Sequence, residues 1–471
     1  MHKLSAGSAF ALNGCFVAGL LVLSQLSVLE ARPMVRTSIA AAAFFLLAWS
    51  VLLFGVLRRG RKVTLEVVLR RQHYLQACLQ GSLIVYWGFY WDEVLHAAPL
   101  IAAQLLFAYG FDSLLSWTHR RTWAFGFGPF PIIFSITLFF WFKDDWFYLQ
   151  FGLVALGFLA KEFLRWTRDG INTHIFNPSS FPLAVVSVFL LLANATEITW
   201  GIQVAQTEFY PPQMYLAIFL IGMPGQYLFG VTPMTMAAIV TTFLCSAVYY
   251  AATGIFFFSD SHVPIAVFLG MTLLFTDPAT SPRTEVGRVL YGVLYGLTTV
   301  VLYDLLLRFG MPGFYDKLLQ VPLLNLSAKL LDRVAKVPLL PLVPPRRYLA
   351  YMGVWAVAFG AMSDTGYLAT TTLGNTCRSG SRRVPPTRAR PARTCISRRT
   401  ATATTDPPGR ATRSGSCWPS TTPIRDGRRC RSSARAGSAF RPGARTARRW
   451  RRRGAAPSSV TCRRWPTIRS S

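Results

Sequence analysis

Residues 38–57 read SIAAAAFFLLAWSVLLFGVL, twenty positions with no charged side chain. A helix rises about 1.5 Å per residue. Twenty such residues therefore cover the roughly 30 Å of a bilayer's hydrocarbon core. The next fourteen residues, RRGRKVTLEVVLRR (58–71), carry six Lys or Arg. An uncharged span followed by a basic loop is the signature of a transmembrane helix that ends on the cytoplasmic side.

The same pattern repeats along the 471-residue chain, which is 52% hydrophobic and holds 35 Phe and 13 Trp. Apolar runs fall at 9–29, 76–91, 96–115, 127–142, 147–163 and 181–195. Further runs fall at 214–229, 234–252, 262–275 (short), 286–308 and 348–367. The expectation is an all-α polytopic membrane protein with about ten to twelve transmembrane helices, some of them broken or capped at polar proline turns. The first run reads as an uncleaved helix; a signal peptide is the alternative. Arg120, Arg121, Lys161, Arg165 and Arg168 alternate onto the same side as 58–71, and the opposite loops hold few basic residues. Trp and Tyr gather near the predicted span ends, as an interfacial belt does. The expected localisation is an integral protein of a bacterial-type inner membrane, with the lipid bilayer as its first partner. No nucleic-acid role is expected.

Four regions follow. Residues 1–64 supply N-terminal membrane helices and 65–310 a transmembrane core. Residues 311–376 hold one more membrane helix after an amphipathic stretch, LLQVPLLNLSAKLLDRVAKVPLL, expected to lie on the membrane surface. Residues 377–471 hold 25 Arg, two Asp, five of the eight Cys and neither Lys, Glu nor Leu. That tail accounts for +23 of the formal charge of +29. It cannot bury enough apolar surface to order itself. Its composition is what GC-rich coding DNA gives in a shifted reading frame; a basic arm for anionic surfaces is the other reading. The cysteines form no disulfide framework, and no metal-ligand spacing is present.

Two polar turns interrupt the apolar pattern: HIFNPSSFP at 174–182 and FTDPATSPR at 275–283. Backbone at membrane depth must be satisfied inside the protein or line a wet cavity. Asn177-Pro178 and Asp277-Pro278 also read as helix starts, with the cap residue followed by proline at the first position. Ser179, Ser180, Thr276 and Thr280 add hydroxyls beside free N–H groups, a combination suited to a phosphate or another anion. Plain helix capping explains the same residues without a ligand. Among intramembrane ionisable groups, Asp304 and Arg308 have the spacing of an i,i+4 pair, and Lys161 and Glu162 either pair or meet the interface. No nucleophile–base set, Walker loop or metal cluster is visible, so no catalytic residue is assigned.

The stretch LAKEFLRWTRDGINTHIFNPSSF (159–181), followed by LFTDPATSP (274–282), resembles an integral-membrane family. That family contains the flavin-carrying membrane subunits of the sodium-translocating NADH:quinone reductase and of the Rnf electron-transport complex, with relatives associated with enediyne biosynthesis. The likeness covers roughly residues 65–307. It implies a membrane-embedded electron-transfer subunit, FMN linked through its phosphate to a threonine, ion translocation, and partner redox subunits. The family's attachment pattern runs Ser/Thr-Gly-Ala-Thr. Phe229-Gly230-Val231-Thr232-Pro233 matches it at Gly230 and Thr232 and departs at Phe229 and Val231, with Gln226 where an acid stands. The resemblance thus makes Thr232 and Gly230 cofactor-binding candidates beside the turn residues. The alternatives are a small-solute or ion transporter with broken helices, and a non-redox relative acting in natural-product biosynthesis.

Overall fold

The computed structural model describes residues 2–58, 62–168, 170–258, 261–334, 339–340 and 342–364. The Arg-rich segment 377–471, expected from its composition to be disordered and frame-shifted, lies outside the described residues. The first helices are α1 (Ala6–Ser24), α2 (Pro33–Leu57), α3 (Arg71–Gly88), α4 (Asp92–His96) and α5 (Ala98–His119). Then come α6 (Pro129–Phe139), α7 (Tyr148–Phe163), α8 (Ser180–Leu192), α9 (Gly201–Thr207) and α10 (Met214–Phe229). The last are α11 (Thr232–Thr253), α12 (Ile265–Leu269), α13 (Glu285–Arg308), α14 (Asp316–Leu331) and α15 (Pro344–Asp364). A π-helical turn, Gly270–Leu274, continues α12.

Five of these helices, α1, α2, α5, α11 and α13, are long and apolar enough to cross a membrane. Four shorter apolar elements, Pro129–Phe139, Ser180–Leu192, Met214–Phe229 and Ile265–Leu274, fall short of a full span. Of these, α8 starts at the first polar turn and the α12 segment stops at the second, which limits their length. The protein is an all-α polytopic membrane protein, and its surface agrees. Leu52, Leu192, Val248, Val301 and Val357 are more than 60% exposed, while Asn13, Gln80, Gln150, Thr242 and Asn325 are buried. Apolar side chains outside and polar ones inside suit a lipid solvent.

Two small sheets complete the fold. β2 (Val63–Val67) pairs antiparallel with β1 (His2–Leu4) and parallel with β3 (Thr122–Phe125). β4 (Arg165–Arg168) and β5 (Ile171–His174) form an antiparallel hairpin, with Gly170 at φ +75° in its turn. These strands carry or adjoin the basic loops, which places those loops at one end of the bundle, as the charge alternation predicts. Glu162, the last buried acid of α7, accepts from Arg120 and lies 2.7 Å from His119 Nδ1. Lys161 turns the other way, 3.8 Å from Asp112 on α5. Adjacent helical residues diverge, so Lys161 and Glu162 do not pair with each other. Asp304 and Arg308 do pair, at 2.7 Å.

Glycine sets the closest helix crossing. A Cβ at Gly292 would lie 2.2 Å from the Met234 carbonyl oxygen, and one at Gly296 would lie 2.7 Å from that of Ala238. α11 and α13 thus meet backbone to backbone, as small residues permit in membrane bundles.

The amphipathic stretch corrects an expectation. α14 does not lay a polar face on water. Asp316, Lys317, Gln320 and Asn325 are buried, whereas Leu323, Leu326 and Leu330 are 69%, 52% and 63% exposed. Its polar stripe points into the protein, where Gln320 donates to Thr299 Oγ1 (2.6 Å) and Asn325 to the Tyr291 hydroxyl (2.8 Å). The same amphipathic pattern serves two opposite orientations, and buried hydrogen-bond partners on α13 select this one.

Candidate functional site

The two proline turns, about one hundred residues apart in sequence, meet in space. Asn177 joins them. Its Oδ1 accepts from the backbone N–H of Ser179 (2.9 Å) and of Ser180 (3.3 Å), and from the Ser179 hydroxyl (2.7 Å). Its Nδ2 donates to the Leu274 carbonyl at 2.8 Å, the last residue of the π-helical turn. Its own N–H donates to Asn325 Oδ1 of α14 (3.2 Å). One amide side chain therefore caps α8, bridges to the second turn, and stands beside α14. The first N–H groups of α8 are spent on Asn177, which is the capping role foreseen for it. A ligand at this place must be held by side chains instead.

The second turn is built around Asp277, but the helix start expected at Asp277-Pro278 is not there: α13 begins at Glu285, with Thr284 as its cap accepting from the Gly287 N–H, so Asp277 organises only a polar turn. Asp277 Oδ1 accepts from the Ala279 N–H (3.1 Å), and Oδ2 accepts from the Thr280 hydroxyl (3.2 Å). His174, at the end of β5, places Nε2 3.2 Å from Asp277 Oδ2. Burial pushes the Asp277 carboxyl up, but the hydrogen bond and charge of His174, with the Ala279 and Thr280 donors, outweigh it and hold the group below the ordinary carboxylate range. Arg168 of β4 donates to the Ser281 carbonyl (2.8 Å) and pairs with Asp332 past the end of α14. Asp332 Oδ1 in turn accepts from the N–H groups of Arg283 (2.7 Å) and Thr284 (3.0 Å).

These turns wall a cleft of ≈ 590 Å³, open to solvent. Lys161, His73, His174 and Asp277 supply its ionisable groups, and Asn177, Ser179, Gln76 and Ser135 its neutral polar ones. A second cavity of ≈ 320 Å³ shares Gln76, Gln80 and Leu273 with the first. Thr276 lines it, as do Gln226, Phe229 and Val231. The Gln226 side chain is 2% exposed, and neither its nitrogen nor its oxygen has a hydrogen-bond partner among the described residues. An unpaired buried amide costs about 1–3 kcal/mol unless something in the cavity satisfies it.

Of the sequence-predicted residues, Asn177, Ser179 and Asp277 line the cleft and Thr276 the adjoining cavity. Ser180 and Thr280 are fully buried behind them. Gly230 and Thr232 line neither cavity, although their neighbours Phe229 and Val231 line the second. Gly230 ends α10 in the left-handed region (φ +63°), and its carbonyl accepts from Arg288 Nη1 at 2.6 Å. Thr232 opens α11, 1% exposed, and its hydroxyl has no partner among the described residues. A threonine that carries a phosphoester needs room for it, so this position does not suit covalent FMN attachment. His73, His174, Asn325 and Asp332 were not singled out from sequence, whereas Gln226 was noted only as standing in place of the family's acid. Their roles depend on contacts between distant elements, and only the histidines, flanking basic stretches, left a local signal. Among the described residues no cluster of His, Cys, Asp or Glu suits a metal ion.

Comparison of the chain with known protein families, with curated proteins and with solved structures finds no match. The family resemblance therefore rests on the two turns, their order and their surroundings.

Proposed function

We propose that the cleft at the basic end of the bundle binds a phosphate-bearing ligand, and that the ligand is FMN held without a covalent bond in a membrane-embedded electron-transfer subunit. The observation that carries this reading is the convergence of Lys161, His73 and His174 on one cleft walled by both proline turns. An ammonium and two imidazoles are donors suited to a phosphate monoester. The Gln226 amide, with a free donor and a free acceptor in a cavity also lined by Leu79 and Phe229, suits the alternating donor–acceptor edge of a flavin ring. When bound, the flavin supplies the redox chemistry. The chain's own residues hold its phosphate, orient its ring and shield it from water. Electron donor and acceptor would come from partner subunits.

The test is FMN titration of detergent-purified protein, followed by release in SDS. The expected result is saturable binding, flavin lost on denaturation, affinity at least about tenfold lower in Lys161→Ala, and no change in Thr232→Ala. Flavin that stays on the denatured chain and vanishes in Thr232→Ala would replace this reading with covalent attachment. Well-folded protein that binds no FMN would overturn it.

A transporter reading has an observation of its own. Glu208 is fully buried with neither carboxylate oxygen hydrogen-bonded among the described residues, and Asp316 and Lys317 form a buried pair at 3.1 Å. Buried ionisable groups in a membrane protein mark solute or ion routes by default.

A further inference from the structure

At the end of the bundle opposite the basic loops lies a separate cavity of ≈ 490 Å³. Its wall is aromatic: Trp91, Trp141, Trp200, Phe142 and Phe147. Two chain segments fix that wall. Trp200 N–H donates to the Trp141 carbonyl (2.8 Å) and Lys143 N–H to that of Ile198 (2.9 Å), around a bridge between Phe142 and Thr199. Trp91 and Trp141 stack at 5.5 Å with 9° between their planes. The cage is thus built before any ligand arrives.

Its polar groups divide sharply. Gln150 Nε2 donates to Gln104 Oε1 (3.0 Å), Gln150 Oε1 accepts from Phe142 N–H (3.2 Å), and the Thr137 hydroxyl donates to Ile133 O (2.9 Å). Arg32 is engaged by both carboxylate oxygens of Asp144, at 2.5 and 2.6 Å. Glu93, in the first turn of α4, is the one charged group of the lining whose carboxylate has neither an ion pair nor a hydrogen bond among the described residues. Glu93 thus leaves one exposed carboxylate free at the rim of the lining. The aromatic faces here already attract cations, since Lys143 Nζ stands 5.7 Å from the centroid of the Trp200 ring.

We propose that this cavity binds an organic ammonium cation. The indole faces receive its alkylated head through cation–π attraction, and Glu93 balances its charge. The same chemistry occurs in the ammonium headgroup of a phospholipid and in a free solute.

The test uses the full chain in nanodiscs of phosphatidylglycerol, which carries no ammonium group. Calorimetric titration with choline chloride is compared with 3,3-dimethyl-1-butanol, its uncharged isostere. Expected are saturable choline binding, at least about tenfold weaker binding of the alcohol, and a loss of about tenfold in Glu93→Gln. Glu93 is exposed, so that variant keeps the fold; Trp141→Leu should lose binding too. Equal binding of alcohol and choline, unchanged affinity in Glu93→Gln, or no binding to folded protein would each overturn the proposal. Native mass spectrometry after extraction from phosphatidylethanolamine membranes separates the two sources. Retained lipid that is lost in Glu93→Gln identifies a headgroup. Undiminished choline binding in phosphatidylethanolamine nanodiscs identifies a free solute.

Discussion

Replacing Asn177 by Ala tests whether the two proline turns hold each other. The wild-type side chain accepts from two backbone N–H groups and one hydroxyl, and donates to Leu274 O in the other turn. Alanine removes a helix cap, a loss of about 1 kcal/mol. It also strands the buried Leu274 carbonyl, which costs about 1–3 kcal/mol more. The sum is about 3 kcal/mol. Ser179→Ala removes one hydroxyl bond from an acceptor that keeps two others, for about 0.5–1.5 kcal/mol. Asn177→Asp retains the cap but faces a carboxylate toward the Leu274 carbonyl, so it should be at least as damaging as alanine. Thermal unfolding of detergent-purified protein, followed by tryptophan fluorescence, reads the difference. The shift per kcal/mol falls with chain length, from about 2–4 °C at about 150–250 residues to about 1–2 °C for this longer chain, so Asn177→Ala should melt about 3 °C or more below wild type and Ser179→Ala about 1 °C below. Equal shifts in the two alanine variants, or an unshifted Asn177→Asp, would refute the bridge and leave Asn177 an ordinary cap.

Gly157 of α7 offers a packing test, because a Cβ there would lie 2.4 Å from the Pro178 carbonyl oxygen. Gly157→Ala should destabilise by about 1–3 kcal/mol, while Gly152→Ala on the same helix, with nothing within 4 Å, should be neutral or slightly stabilising in the same melting assay. Leu323, 69% exposed near the middle of α14, separates lipid from water as the solvent of that face. In lipid nanodiscs Leu323→Lys should lower stability by about 2–3 kcal/mol if the face meets hydrocarbon, against about 0.5 kcal/mol or less for a water-facing position.

Much of the architecture was legible because a bilayer makes the rules strict. Uncharged runs near 20 residues had to be helices, and basic loops had to share one end. The strands that pair β2 with β3 and the ion pairs of Glu162 bear that sharing out. The lengths were less legible. Residues 181–195 and 127–142 read as whole spans, yet α8 has 13 residues and α6 has 11. A short helix and a long one have the same hydropathy per residue, and only the turn beside it decides where the helix stops.

The orientation of α14 shows what local pattern cannot carry. Amphipathicity fixes that two faces differ but not which solvent each one meets. On a soluble protein or a membrane surface the leucines of α14 would be the hidden side. Here Asn325 finds the Tyr291 hydroxyl and the Asn177 N–H, Gln320 finds Thr299, and Leu323, Leu326 and Leu330 are left outward while Leu318, Leu324 and Leu331 pack inside with the polar residues. Each of those partners lies more than twenty residues away, so no window along the sequence contains the pair. The same reason hid the cleft. Asn177 was visible as a helix start, whereas Asp277 read as one and proved to head a turn, with α13 starting only at Glu285; that the two turns meet could not be read from either alone. A polar helix turned inward is therefore what allows two helix-breaking turns inside an apolar bundle: it supplies Asn325 to the first turn, and its C-terminal end leads to Asp332, the acceptor for the second.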